Sequence, residues 1–266
     1  MNTRIASLVP SLTELVFELG LGDQLVARTG FCIHPAPRLR DVPKVGGTKD
    51  VNLAKLKQLA PTHVLLNVDE NRLDTAQALE TLGAQLVVTH PCDPEDNLAL
   101  IDQLAEVFAD QPGVPERARK LRSALAGELL LTHPAGRAPC RVLYLIWHGP
   151  WMTVARDTYI SRMLARVNWL SEPAQDGGER GAARYPVLRG DEPWLADVER
   201  VLLSSEPFNF TDDHLHQARA LCPQARVQRV DGELLSWYGP RALPGLRYLR
   251  ELAHNPQNAP WTSTNR

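Results

Sequence analysis

The chain contains 266 residues, of which 44% are hydrophobic and 23% are charged, an ordinary composition for a folded globular protein. At about 150 residues per domain, this length predicts one large domain or two smaller lobes. The 29 basic and 31 acidic residues leave a net charge of −2. That balance argues against a nucleic-acid-binding protein, which usually carries a basic excess. No stretch of the sequence approaches the ~20 apolar residues of a membrane-spanning helix.

The first residues bear on cellular location. After Arg4 comes a short apolar run that ends at Pro10, so the pattern is a strand and a helix start and not a secretory signal. We therefore expect a cytoplasmic protein as the sequence is written, or a periplasmic one if an export signal is missing from it. Four scattered cysteines suit a reducing compartment. They are Cys32, Cys92, Cys140 and Cys222.

The first half of the chain alternates strand and helix patterns. Short apolar runs predict strands at 4–9, 24–29, 63–67 and 85–89. Apolar residues at helical spacing predict helices at 12–19, 52–59 and 72–82, and Asp93-Pro94 predicts the start of another. Ser11 and Glu14 fit a capping box, which makes Ser11 the predicted N-cap of the first helix.

The second half repeats the alternation. It predicts strands at 142–147, 200–204 and 226–230, and helices at 159–167, 211–221 and 243–252. Between the halves, residues 115–132 have helical spacing and no internal proline, so they predict one long helix. The fold class is therefore α/β: two Rossmann-like lobes with parallel sheets, joined by a backbone helix, with a ligand cleft between the lobes. The predicted boundaries are 1–112, 113–134 and 135–266.

Ligands of open parallel sheets bind beyond the carboxyl ends of the strands, so the loops there are the candidate sites. In the first lobe, Pro10 and Ser11 open a helix whose free N–H groups suit a ligand, although a plain helix cap is the more common role of such residues. Gly46 and Gly47 permit positive φ and close backbone approach. The polar residues 67–72 are either a solvated helix start or a ligand-facing loop.

Three side chains are candidate metal ligands. Cys32 and His34 stand two residues apart after the second strand, and His148 follows the first strand of the second lobe. A thiol and imidazoles suit soft or borderline metals. The alternative is a buried thiol with hydrogen-bonded histidines.

Aromatic residues make up only 6% of the chain, yet they gather in loops of the second lobe. These loops are residues 147–152, 184–186, 205–210 and 236–241. Aromatic side chains interleaved with arginine suit a flat, partly apolar ligand that carries acidic groups. Ordinary loop packing is the alternative.

The chain resembles the helical-backbone metal receptors in RIASLVPSLTELVFELG, in VPKVGGTKDVNLAKLKQLAPTHVLLN and in its lobe–helix–lobe plan. The phrases FCIHP, NVDENR, PWMTVARDTYI, LLSSEPF and DGELLSWYGPR are most similar to the cobalamin-binding members. These proteins bind cobalamin, haem or ferric siderophores for ABC importers. The resemblance implies the same bilobal fold, a corrinoid as ligand (or haem or a ferric chelate) and an ABC permease as partner.

The resemblance also implies which residues line the ligand site. Together with the aromatic loops, it gives Pro10, Ser11, Phe31, Gly46, Gly47, Trp147, Trp151, Tyr185, Trp237, Tyr238 and Arg241. One acidic residue per lobe docks on the permease in this family. The candidates here are Glu70 or Asp74 in the first lobe, and Glu206, Asp212 or Asp213 in the second.

The leading hypothesis is thus a non-catalytic binder of a metal chelate, most simply a corrinoid. A cytosolic enzyme of metal or corrinoid metabolism is the alternative, with Cys32, His34, His148 and Glu206 as its working groups. A third reading is a protein that uses its bilobal surface to bind a partner protein. We expect no nucleic-acid binding and no membrane insertion.

Overall fold

The computed structural model of the protein describes residues 3–254. Within that range the chain folds into two compact units. Unit 1 consists of the segment up to Pro91, Asp96–Leu125 and Tyr238–Pro240. Unit 2 consists of Cys92–Glu95, Ala126–Trp237 and the segment from Arg241 onward. Each unit contains one parallel four-stranded sheet, so the α/β class and the two-lobe plan are confirmed.

The sheet of unit 1 has the strand order β2-β1-β3-β4, with every neighbouring pair parallel. Its strands are β1 (Ile5–Ser7), β2 (Leu25–Arg28), β3 (His63–Asn67) and β4 (Gln85–Thr89). The helices between them are α1 (Pro10–Glu18), α2 (Ala36–Leu39), α3 (Leu53–Gln58) and α4 (Leu73–Glu80). Apolar side chains of the strands pack with Leu56 of α3 and Leu79 of α4. This buried layer holds the four carboxyl ends of the strands at one edge of the sheet.

The long helix was predicted to within one residue. It is α6 (Val114–Leu131), and it follows α5 (Asp96–Val107). Its residues through Leu125 belong to unit 1 and those from Ala126 to unit 2. Among residues 3–254, no helix is long and apolar enough to cross a membrane.

The sheet of unit 2 has the order β6-β5-β7-β8, again parallel throughout. Its strands are β5 (Cys140–Leu145), β6 (Trp169–Ser171), β7 (Arg200–Ser204) and β8 (Arg226–Val230). The accompanying helices are α7 (Tyr159–Ala165), α8 (Asp212–Leu221), α9 (Gly232–Ser236) and α10 (Ala242–His254). Leu143, Leu145, Val201 and Leu203 of the strands pack on one face with Ala218 of α8.

Two predicted helix starts are wrong. Val9, and not Ser11, is the N-cap of α1, because Pro10 occupies the first helical position and Ser11 lies inside the first turn, buried. Asp93 was predicted to start a helix, but that helix, α5, begins at Asp96. The Asp93 carboxylate instead accepts a bond from the Glu95 N–H at 3.2 Å, which closes a turn before the helix.

Candidate functional site

In unit 1, the loop after β2 lies beside the glycine loop. The Gly30 N–H donates to the Gly46 carbonyl at 2.8 Å. Gly46 has φ +99°, which confirms that this loop needs a residue without a side chain. A Cβ on Gly47 would come within 3.2 Å of the Phe31 ring. The missing side chain therefore leaves room for Phe31, which is 63% exposed.

The polar residues after β3 form a structural network. The Asn71 side-chain amide donates to the carbonyls of Leu8 and Thr48, at 3.3 and 3.0 Å. The Asn71 amide oxygen accepts from the Asn67 N–H at 2.9 Å. Asn71 thus ties the loops after β1 and β3 to the glycine loop. Sequence reasoning treated residues 67–72 as solvated or ligand-facing and did not predict this role, which depends on partners up to 63 positions away.

Tyr238 is buried in unit 1, where its hydroxyl donates to Glu70 Oε1 at 3.0 Å. The next residue, Gly239, donates its N–H to Asn97 Oδ1 at 2.5 Å. A Cβ on Gly239 would lie 3.5 Å from the Ser11 carbonyl, so this segment packs against the start of α1. Pro10 and Ser11 are buried there, and the structure therefore brings them together with Tyr238.

In unit 2, the loops after β5 and β7 and the first turn of α8 bring six rings together, which we call the aromatic cluster. Its members are Trp147, His148, Trp151, Phe208, Phe210 and His214. His148 lies edge-on to Trp151 and to His214, with ring centroids 4.4 and 4.8 Å apart. Trp147 packs on Phe208 at 5.2 Å and remains 40% exposed. The cluster therefore presents an aromatic surface at the carboxyl edge of the sheet.

Tyr185 lies in a segment that pairs with the Trp147–Met152 turn. The Thr153 N–H donates to the Pro186 carbonyl and the Leu188 N–H to the Trp151 carbonyl, both at 2.9 Å. These bonds place the segment of the half-buried Tyr185 beside the Trp147–Met152 turn, which carries three rings of the aromatic cluster.

Trp237 and Arg241 come together around a buried carboxylate. Glu206 Oε1 accepts from Trp237 Nε1 at 2.6 Å and from Ser236 Oγ at 2.8 Å. The Arg241 guanidinium lies 4.9 Å from the centre of the Trp237 ring and 3.1 Å from Glu233. Burial raises the pKa of Glu206, and the two hydrogen bonds oppose that rise. Trp237 is only 7% exposed, so its polar edge faces Glu206 inside unit 2.

The candidate metal ligands lie in different surroundings. Cys32 is fully buried, with its Sγ 3.2 Å from the Thr29 hydroxyl, and burial raises the pKa of its thiol. This is the environment of a core thiol. His34 and His148 are each half-buried. Residues 3–254 contain no group of three or more His, Cys, Asp and Glu side chains that could hold a metal ion.

Sequence reasoning missed three residues of these arrangements. Phe208 and Phe210 stood in a loop already noted for its aromatic content, and that composition was the available signal. His214 carried no signal, because its visible role is local: its Nδ1 accepts the Thr211 N–H at 2.9 Å in the capping box of α8. Only the fold places its ring against His148.

Comparison with known proteins gives matches along most of the chain. The sequence profile of a family described as "Periplasmic binding protein" matches residues 5–180. A vitamin B12-binding protein of Photorhabdus laumondii is 28% identical over 201 residues, 75% of this chain and 67% of that protein. A vitamin B12-binding protein of Vibrio vulnificus is 26% identical over 264 residues, 93% and 89% of the two chains.

Solved structures show the same fold. The periplasmic vitamin B12 binding protein BtuF of Vibrio cholerae superposes with a TM-score of 0.80 at 21% identity, over 96% of this chain and 98% of that one. The periplasmic heme-binding protein RhuT from Roseiflexus sp. RS-1 gives 0.78 at 21% identity, over 96% and 99%. The periplasmic heme-binding protein HutB of Vibrio cholerae gives 0.73 at 24% identity, over 95% and 99%.

These matches confirm the resemblance at the level of family and fold. Their names include both vitamin B12 and heme, so they leave the ligand open between the two. The names of the solved structures describe periplasmic proteins, and so give no support to the cytoplasmic location expected from the first residues.

Proposed function

The chain belongs to the periplasmic binding protein family, and from that premise we propose that it binds a metal-containing tetrapyrrole, most simply a corrinoid, and releases it unchanged. The names of the vitamin B12-binding relatives support a corrinoid. The heme-binding neighbours support haem as the second candidate. Both ligands are large, flat and partly apolar, with acidic or amide groups at the rim.

The observation that carries the proposal is the aromatic cluster of unit 2. Trp147 is 40% exposed although indole rings ordinarily favour burial, and it packs on Phe208, which in turn packs on Phe210 and His214. An exposed, well-supported indole offers a macrocycle a flat contact whose rotamer is already restricted by its neighbours. In unit 1, the exposed Phe31 beside the glycine loop offers a second aromatic contact.

Titration of the purified chain with cyanocobalamin, cobinamide and haemin tests the proposal. We expect saturable binding of at least one of them, and Trp147→Ala should raise its Kd about tenfold or more, as removal of a central aromatic anchor does. Trp194→Ala is the matched control, because this indole lies in the same unit outside the aromatic cluster. Absence of binding by all three compounds would contradict the proposal.

A variant of His148 distinguishes between the two candidate ligands. If the His148 imidazole ligates haem iron, bound haem should lose its characteristic visible spectrum in His148→Ala. The spectrum of a bound corrinoid that keeps its own axial base should be unchanged by this substitution. His216→Ala is the control, since His216 is an exposed histidine of the same unit. An unchanged haem spectrum in His148→Ala would remove His148 as a metal ligand.

The proposal includes delivery to an ABC permease from the periplasmic side of the membrane. An uncharacterized relative of Bacillus subtilis, 22% identical over 265 residues, is named as an ABC transporter substrate-binding lipoprotein, which supports this part. Asp74 is 60% exposed in the first turn of α4, and Asp212 and Asp213 are exposed in the first turn of α8. Asp74 pairs with Arg72 and Asp212 with Arg229 on the surface, whereas the half-buried Glu70 and Glu206 accept hydrogen bonds from the buried Tyr238 and Trp237. The three exposed aspartates are therefore the more accessible docking candidates.

Uptake of labelled cobalamin by cells tests this part separately. Asp74→Asn combined with Asp213→Asn should lower uptake while the Kd of the purified chain stays unchanged. Asp191→Asn, another exposed acidic position, serves as the control. Normal uptake by the double variant would exclude these two residues as docking groups.

A further inference from the structure

Unit 2 contains a cavity of about 600 Å³ that none of the residues of the aromatic cluster lines. Small-molecule sites in proteins have volumes of ~300–1,000 Å³. Two of the lining residues, Arg141 and Leu170, stand opposite each other on the adjacent strands β5 and β6. The lining side chains include Arg141, Arg156, Leu170, Glu172, Gln175 and Trp194.

A buried carboxylate organises the two arginines. The Glu172 side chain is 4% exposed, and its Oε1 lies 3.5 Å from Arg156 Nη2 and 3.6 Å from Arg141 Nη1. Arg156 Nη2 donates a long hydrogen bond to Glu172, and both distances exceed the ~2.7–2.9 Å of a strong charge-assisted bond. A guanidinium has five N–H donors, so each arginine keeps donors for a ligand. Asp197 lies 3.1 Å from Arg141 but is 63% exposed, and water weakens that pair.

Backbone bonds hold the cavity wall in place. Arg156 Nε donates to the Ser171 carbonyl at 2.9 Å, and the Arg156 N–H donates to the Gln175 carbonyl at 2.9 Å. The Glu172 N–H donates to the Val142 carbonyl at 2.8 Å, which continues the pairing of β6 with β5. Arg156 and Glu172 therefore project from fixed backbone, and the Nε bond also restrains the Arg156 side chain before a ligand binds.

The charges and the apolar wall together select a ligand class. Two guanidiniums and one carboxylate are the charged side chains that line the cavity, so its wall offers an anion more donors than competing acceptors. The planar fork of arginine matches a carboxylate, while Trp194 and Leu170 offer an apolar contact. We infer that this cavity binds a small organic carboxylate with an aromatic body, with its carboxylate on Arg141 and Arg156 and its ring against Trp194.

Benzoate is the probe, and benzyl alcohol is its uncharged counterpart of similar size. We expect benzoate to shift the indole N–H resonance of Trp194 in the full-length protein to saturation, with the resonance assigned by Trp194→Phe. Benzyl alcohol at equal concentration should cause no saturable shift. No saturable shift with benzoate, or equal shifts with both compounds, would overturn the inference.

Variants of Arg141 test the charge contact. Arg141→Gln should weaken benzoate binding at least tenfold, and Arg141→Lys should weaken it less, because the charge remains but the fork is lost. The control is Arg189→Gln, an arginine 76% exposed in the same unit that pairs with Asp191. Benzoate binding by Arg141→Gln equal to that of the unaltered protein would overturn the inference.

The benzoate experiment is independent of the proposed chelate binding. Arg141→Gln should keep the circular dichroism spectrum of the unaltered protein, which verifies that the variant is folded. Any chelate that the unaltered protein binds should bind this variant with an unchanged Kd. If Arg141→Gln failed to fold, Trp194→Leu would carry the test, since it removes the ring contact without touching the ion pairs. Unweakened benzoate binding by a folded Trp194→Leu would then count against the inference.

Discussion

Glu206 is a carboxylate whose ionisation is opposed by its surroundings. Burial raises its pKa, while hydrogen bonds from Ser236 and Trp237 lower it, and burial has the larger effect. An acid whose pKa is raised by folding contributes stability at low pH, and that contribution is lost as pH rises through the folded-state pKa. The indole N–H of Trp237 limits this loss.

We expect Trp237→Phe to destabilise the protein by about 1–3 kcal/mol, because it keeps the ring but leaves a buried carboxylate short of one donor. The pKa of Glu206 should rise further, so the loss should be greater at pH 8 than at pH 5. Urea unfolding followed by circular dichroism at both values measures it. Trp147→Phe is the control, and equal losses at the two pH values would contradict the explanation.

At the scale of single elements, α6 is joined to α10 through one acidic residue. The Glu128 side chain is 4% exposed, and it accepts from Arg247 Nε at 2.8 Å and from Arg250 Nη1. Burial raises the pKa of Glu128, but the hydrogen bonds from Arg247 and Arg250 outweigh that effect and hold it below its ordinary value. The terminal helix is therefore held by charged hydrogen bonds as well as by its apolar face.

Glu128→Gln should cost about 1.5–3 kcal/mol at pH 7, the range for hydrogen bonds to a charged group. Because the folded-state pKa is lowered, this contribution is lost as pH falls through it, so the difference from the unaltered protein should shrink at pH 3. Urea unfolding at both pH values measures the change. Glu116→Gln, exposed on the same helix and paired with Lys120, should have no measurable effect.

The glycine loop of unit 1 also depends on local geometry. Gly46 has φ +99°, and a Cβ there would lie 2.3 Å from the Asp50 carbonyl oxygen. Gly46→Ala should therefore lower stability by more than ~1 kcal/mol, the least that left-handed backbone costs an L-residue.

Gly127→Ala is the opposite case, since nothing lies within 4 Å of a Cβ at this position and the residue is inside α6. It should raise stability by about 0.5–1 kcal/mol. Thermal unfolding of both variants measures these changes.

At the scale of the whole molecule, neither unit is a continuous stretch of chain. Cys92–Glu95 belongs to unit 2, where Glu95 pairs with Arg166, although the residues on both sides belong to unit 1. Tyr238–Pro240 belongs to unit 1, where it bonds to Glu70 and Asn97. The two units exchange short segments, so each requires chain from the other half of the sequence.

We expect neither residues 1–125 nor residues 126–266 to unfold cooperatively when produced alone. The second fragment lacks the carboxylate that pairs with Arg166, and the first lacks the hydroxyl that donates to Glu70. Near-ultraviolet circular dichroism and urea unfolding, with the intact chain as reference, test this. A cooperative transition of either fragment at the stability of the intact chain would contradict it.

Much of the fold was predictable because local sequence patterns determine it. The strands at 63–67, 85–89, 200–204 and 226–230 match prediction residue for residue. The first three are rich in Leu and Val, and the fourth, RVQRV, carries two valines. The strand β6 was missed, because Trp169–Ser171 is too short to show a period and exists by pairing with β5. Pro10 displaced the predicted cap at Ser11, a local conflict between two helix-start signals that sequence alone did not resolve.

By itself the sequence determined the α/β class, the long helix and the loops where aromatic residues gather, because periodicity and strand-end position are properties of neighbouring residues. Only the tertiary structure decided which way individual side chains face. It gave Trp237 and Tyr238 carboxylates as partners and enclosed Cys32 as a core thiol. It also assembled the aromatic cluster from two loops and the first turn of α8. Such partners lie dozens of positions apart, and the free energy of burying a polar group depends on which of them the fold brings within hydrogen-bond distance.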